Sequence, residues 1–135
     1  MKLVLDTQIW LDWLVFDDPG VRRLRNAVQL GRAEVVIDAA CDAELERVLA
    51  YDLGKHSISG EAQLAALDQA RRLARRVEVV AVKGLPQCRD PDDQKFIELA
   101  VVTKADALVT KDRELLRMKR RLPFRVVTPQ ELPAL

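Results

Sequence analysis

Short apolar runs that end at or next to a carboxylate recur along this chain, with helical patterns between them. "KLVL" (2–5) stops at Asp6, "EVVI" (34–37) stops at Asp38, and Asp112 stands two residues past "ALVT" (107–110). Runs of this length without polar alternation are strands buried on both faces, and helices between them supply the cover. The expected fold is therefore α/β, a three-layer α/β/α sandwich around a central parallel sheet. In such sheets, sites form where loops leave the carboxyl ends of the strands. Acids at strand exits are thus the residues to weigh first.

The remaining pattern fills in the elements. Ile9, Trp10, Trp13 and Leu14 are spaced for a helix started by Thr7, and "DDPG" (17–20) breaks it. "VRRLRNAVQLG" (21–31) reads as a second helix ending at Gly31, and "AACDAELERVLAYDLG" (39–54) as a third closed by Gly54. "HSISGEA" (56–62) is a loop, "GEAQLAALDQARRLARR" (60–76) a helix, and "VEVVAV" (77–82) is expected as the third strand. After the loop "KGLPQCRD" (83–90) come a helix from Pro91, the strand at 107–110 and a helix over "DRELLRMKRR" (112–121). "FRVVT" (124–128) is the last strand and "PQEL" (129–132) a closing turn.

The totals set limits on these readings. A chain of 135 residues that is 49% hydrophobic and 32% charged is expected to form one soluble globular domain over 1–135. No apolar run reaches membrane-spanning length. "MKLVLD" meets an acid after three apolar residues, too soon for a secretory core, so a cytoplasmic location is expected. Cys41 and Cys88 follow no metal spacing and are expected as reduced thiols. Net charge is only +1, but residues 104–125 hold eight Lys/Arg against three acids, and "RRLARR" (71–76) holds four arginines. Either run is a localised basic surface or a solvated helix face.

The carboxylates are not equivalent. At ~100° per residue, Phe96, Ile97, Ala100 and Val101 form one stripe, and Asp93 falls near its middle. Asp92 points away, and Asp90 with Pro91 makes a helix start, the cap role being preferred for Asp90. A capping box also suits Asp93, yet a cap has no need of the core-facing side. Asp6, at the mouth of a buried strand, is costly unless paired, and Thr7 is available to cap the next helix. Asp112 suits a cap of "RELLRMKRR" and gains weight beside the other strand-exit acids. In "CDAELERVL", Glu44 borders the stripe of Cys41, Leu45 and Val48, whereas Glu46 lies nearer solvent.

Carboxylates converging at one sheet edge repel and raise each other's pKa values. A hard divalent cation resolves that repulsion: Mg²⁺ or Mn²⁺ prefers oxygen ligands and commonly sits between acids and substrate phosphates. His56 is expected at the surface and Trp10 and Trp13 in the core. No Gly-rich phosphate loop, zinc spacing or nucleophile–histidine pair is visible.

In this order, "LVLDTQIWLDWLV", "AELERVL", "RDPDDQKFIELA", "ADALVTKDRELL" and "FRVVTPQEL" resemble the PIN domain over nearly the whole chain, particularly its bacterial toxin members. The resemblance implies a Mg²⁺- or Mn²⁺-dependent ribonuclease whose acids fall on Asp6, Glu44, Asp93 and Asp112. It also implies a homodimer neutralised by an antitoxin that reaches the acidic site. Two positions depart from the family pattern: Gln8 stands where Asn is common, and Lys111 replaces the small middle residue of T-G-D.

The expectation is an endoribonuclease with Asp6, Glu44, Asp93 and Asp112 as catalytic and metal-holding acids. Gln8, Thr110 and Asp90 support them, and Lys111, Arg113 and Arg117 engage the RNA backbone. Two alternatives stand beside it: a PIN-fold module that binds RNA or protein with little turnover, and another metal-dependent phosphatase or phosphodiesterase.

Overall fold

Five parallel strands form the sheet in the order β3-β2-β1-β4-β5. In this computed structural model, which describes residues 1–51 and 58–132, β1 is Lys2–Leu5, β2 Glu34–Ile37, β3 Ala74–Arg76, β4 Ala107–Val109 and β5 Arg125–Val127. The helices are α1 (Thr7–Leu14), α2 (Arg22–Gln29), α3 (Ala39–Leu49), α4 (Gly60–Leu73), α5 (Gln94–Thr103) and α6 (Arg113–Leu116). They cover the sheet as an α/β sandwich. β1 is central because Leu3, Val4 and Leu5 have no polar face to offer solvent, and all three are buried. The chain steps from β1 to β2 to β3 on one side, then returns to β4 on the other. The strand order therefore reverses between β1 and β4, and the exits of those two strands form the crevice where such sheets place ligands.

Packing follows the apolar stripes. α1, α3 and α4 pack on one another, α5 packs on β1 and β4, and α6 on β5. Phe96, Ile97, Leu99 and Ala100 carry the buried face of α5. That helix stops where Lys104 takes a left-handed conformation (φ 54°). At the end of α2, Gly31 (φ 74°) does so without steric cost.

The third strand is not where the pattern placed it. β3 is Ala74–Arg76, following α4 without a turn, while 77–82 lies outside the ladder except that the Val77 amide donates to the Ile37 carbonyl at 2.9 Å. The register of β2 reaches Ala74, Arg75 and Arg76 first, and ion pairs make those arginines tolerable at a sheet edge. Arg75 pairs with Glu34, and Arg76 lies 3.4 Å from Asp42. Charged residues on an edge strand also discourage further strand addition. The rest of "RRLARR" is spent similarly. Arg71 grips Asp42 with two bonds of 2.8 and 2.9 Å, and Arg72 meets Asp68 at 2.5 Å. This run is an ion-paired face.

Other boundaries moved less. The helix from Ala39 ends at Leu49, and the expected closure at Gly54, the loop start and His56 lie outside the described residues. Pro91–Asp93 is a 3-10 turn before α5, and the expected helix over 112–121 divides into α6 and a 3-10 turn at Lys119–Arg121. Cys41 and Cys88 are buried and unpaired, and no helix among the described residues is long and apolar enough to cross a membrane.

Candidate active site

Asp6 joins β1 to α1 and is itself the cap of that helix: its Oδ1 accepts from the Ile9 amide at 3.0 Å. The expectation that Thr7 would cap is corrected, because the Asp6 backbone is extended and its carboxylate turns onto the helix start. Thr7 is thereby released, and its hydroxyl donates to Glu44 Oε2. The Asp6 Oδ2 accepts from the hydroxyl of Thr110, just past β4 and fully buried. The same Thr110 oxygen accepts from the Asp112 amide at 3.0 Å. One hydroxyl thus joins the exits of the two central strands. Burial pushes the Asp6 carboxyl up to about 6, against the lowering by those donors, and the charges of Asp112 and Asp12 add to the rise.

Asp93 ends the 3-10 turn ahead of α5, and its Oδ2 is buried without a hydrogen-bond donor. Its pKa rises to about 7, first through burial, then through Asp112 beside it and the charges of Asp90 and Asp6. Asp112 caps α6 by accepting from the Glu114 amide at 2.8 Å, so cap and cavity wall are the same residue. Asp90 caps the 3-10 turn through the Asp92 amide at 3.0 Å and is exposed, as is Asp92; neither lines the cavity. Glu44 projects from α3 and is held by Thr7, by Lys95 Nζ at 2.9 Å and, at 3.8 Å, by Arg47.

Asp6, Glu44, Asp93 and Asp112 line one cavity of about 330 Å³ at the β1–β4 crevice, with Thr7, Gln8, Phe96 and Lys111 completing its wall. Gln8 and Lys111 both turn to Asp12, a buried acid on α1. Gln8 Nε2 donates to Asp12 Oδ1 at 3.0 Å, and Lys111 Nζ lies 2.5 Å from Oδ2.

Among the described residues, no three acid, histidine or cysteine side chains are drawn together as a ready-made cation site. The donor chemistry nonetheless fits a hard divalent ion. Carboxylate oxygens share one wall, one of them is buried with no donor, and two carboxyls are raised by burial and mutual repulsion. Among the described residues, Lys95 forms its ion pair with Glu44 and with no other acid of the cavity.

The basic C-terminal third does not form one surface: Lys111 lines the acid cavity, and others of its cations lie in two further places. Arg113, Arg117 and Lys119 border a shallow pocket on α6, Arg117 also pairing with Glu114 at 2.9 Å. Lys104 and Arg125 instead flank a separate cavity of about 610 Å³ where β4 and β5 begin. Sequence reasoning passed over Asp12 and Lys95. Asp12 follows Ile9 by three positions on the apolar side of α1, a signal for a buried acid; nothing local distinguishes Lys95.

Comparison with known proteins bears on the whole arrangement. The family model of the PIN domain matches residues 2–114. The fold is similar to a chain in the crystal structure of VapBC2 from Rickettsia felis bound to a DNA fragment from their promoter, with a TM-score of 0.64 at 18% identity over 94% of this chain and 97% of that one. No curated protein matches.

Proposed function

The chain belongs to the PIN domain family, and from that premise we propose that it is a Mg²⁺- or Mn²⁺-dependent endoribonuclease acting as the toxin of a toxin–antitoxin pair. The observation that carries this reading is the buried, donor-less Oδ2 of Asp93 in the cavity that Asp6, Glu44 and Asp112 also line. A carboxylate oxygen removed from water without a donor is costly unless a cation arrives.

Asp6, Glu44, Asp93 and Asp112 would hold the ion. A divalent cation there supplies Lewis-acid stabilisation of phosphodiester charge and lowers the pKa of water to make a nucleophile. Thr110 keeps Asp6 turned into the crevice, and Thr7 keeps Glu44 against the β1 exit. Asp93, its carboxyl raised to about 7, would have to give up its proton to hold the ion, so binding would be coupled to proton release. Arg113 and Arg117 engage the RNA backbone without reading sequence, a contribution that weakens with salt. The partners that fit this role are RNA, a second copy of the chain and a cognate antitoxin in the cytoplasm; the likeness to VapBC2 supports the antitoxin.

The test is direct. Asp6→Asn and Asp93→Asn abolish Mg²⁺-dependent RNA cleavage while circular dichroism stays native; cleavage equal to wild type, after contaminating nucleases are removed, rejects the proposal. A second reading, an RNA-binding module without turnover, is favoured by the grip of Lys95 on Glu44. Retained RNA binding with no cleavage across Mg²⁺ and Mn²⁺ selects it.

A further inference from the structure

Lys111 is placed awkwardly for a site that takes a divalent ion. It sits between Thr110 and Asp112, both at the crevice, and it lines the acid cavity itself. A lysine carries a compact charge on a flexible four-carbon stem. Its ammonium, left free beside raised carboxyls, would serve them as an internal cation. In the structure it is directed elsewhere, 2.5 Å from Asp12 Oδ2 and 3.6 Å from Asp18 Oδ2.

The anchor is well built. Asp12 is 3% exposed, so its charge demands a cation nearby. Its Oδ1 takes the Gln8 amide at 3.0 Å, one helical turn back, which fixes the carboxylate plane. Its backbone carbonyl accepts from the Asp18 amide at 2.9 Å, which brings the second acid to the same ammonium. The two residues that depart from the family pattern, Gln8 and Lys111, therefore meet on one acid. A longer amide at position 8 reaches Asp12, and Asp12 holds the lysine.

We propose that Asp12, oriented by Gln8, is a positioning residue that keeps the Lys111 ammonium at the cavity rim and off the carboxylates that receive the divalent ion. The proposal rests on the metal-dependent reading for its consequence, but the position of the lysine does not. Removing Asp12 leaves Lys111 beside Asp6, Asp93 and Asp112, and the arm swings inward. A merely structural ion pair would show no such relocation, and deleting the lysine would not undo the effect of deleting the acid.

The experiment compares wild type, Asp12→Asn, Lys111→Met and the double variant. Mn²⁺ affinity is read from the electron paramagnetic resonance signal of free Mn²⁺, and the metal-free Asp12→Asn protein is crystallised. Asp12→Asn weakens Mn²⁺ binding by ~10–100-fold, the span typical of residues that act through a ligand's neighbours. The double variant returns to the wild-type affinity, and the metal-free crystal shows Lys111 Nζ among the cavity carboxylates. Unchanged Mn²⁺ affinity in Asp12→Asn, or a double variant as weak as the single, overturns the proposal. So does a metal-free crystal with Lys111 still on Asp18, whether or not any form binds Mn²⁺. Wild type that takes up no Mn²⁺ refutes the metal-dependent reading instead, and the crystal still decides the lysine's position. Gln8→Ala, which keeps the ion pair but frees the Asp12 carboxylate to turn, shows the same change in smaller degree if Asp12→Asn does not fold.

Discussion

Two groups of acids sit near the carboxyl side of the sheet and differ in what answers their charge. Asp42, on α3, is buried but held by two bonds from Arg71 and by Arg76 at 3.4 Å, and its pKa is lowered, chiefly by the Arg71 bonds. Asp6 and Asp93, at the β1–β4 crevice, have hydroxyl and amide donors or none, and both are raised. The first group is completed by the protein and ties α3 to α4 and the sheet edge. The second is left short of positive charge, and under the proposed reading a cation from solution would complete it. Burial alone does not set an acid apart. Among the described residues, Asp38 is also buried without an ion pair and simply caps α3 through the Cys41 amide, whereas Asp6 and Asp93 share one cavity, have no protein cation and are both raised.

The contrast is broken most severely at the crevice. Asp93→Asn or Asp6→Asn removes an acid from the cavity, and RNA cleavage falls by more than the ~100-fold that loss of a supporting residue costs, measured with single-turnover rates. Next comes the response to metal. Mn²⁺ at a hundred times its dissociation constant adds about 2.7 kcal/mol of stability to wild type, seen as a rise in Tm, and little to Asp93→Asn. Arg71→Met reverses the pattern: it costs about 1–2 kcal/mol, because Arg76 remains and Arg71 is half exposed, while cleavage per folded molecule is kept.

The smallest effect is in pH. Raised carboxyls favour the protonated folded state, so without metal the crevice is most stable near and below the ordinary carboxylate pKa of about 4, and loses stability as pH rises through about 6 for Asp6 and about 7 for Asp93. Asp42 has the opposite sign: its contribution is present above the ordinary value and lost as pH falls through its lowered one. Metal-free Tm therefore drops by several degrees between pH 5 and 8, and Asp93→Asn flattens that slope without touching the acid limb.

Much of this was legible in the chain. β1, β2, β4 and β5 coincide with apolar runs because their buried positions, all of β4 and all but the charged first residue of the other three, must be apolar on both faces. β3 was not: the register with β2 aligns Val35–Ile37 with Ala74–Arg76 before "VEVVAV" is reached, whereas β5, the other edge, keeps its apolar run in register with β4. The acids that line the crevice had been named from strand exits and helix phase. Which residues serve as caps was harder: Asp6 and Asp112 each cap a helix and face the cavity, a double duty that local pattern treats as a choice.

Sequence alone determined the α/β class, the burial of "KLVL" as a strand, and the fact that acids stand where strands end, because periodicity and chain direction are local properties. Tertiary structure decided which acids are answered. That Arg71 and Arg76 reach Asp42, that Lys95 reaches Glu44, that Lys111 turns to Asp12, and that no donor reaches Asp93 Oδ2 all depend on elements far apart in the chain meeting within a few ångströms. Electrostatic energy falls with distance and depends on burial, and neither quantity is written in the order of the residues.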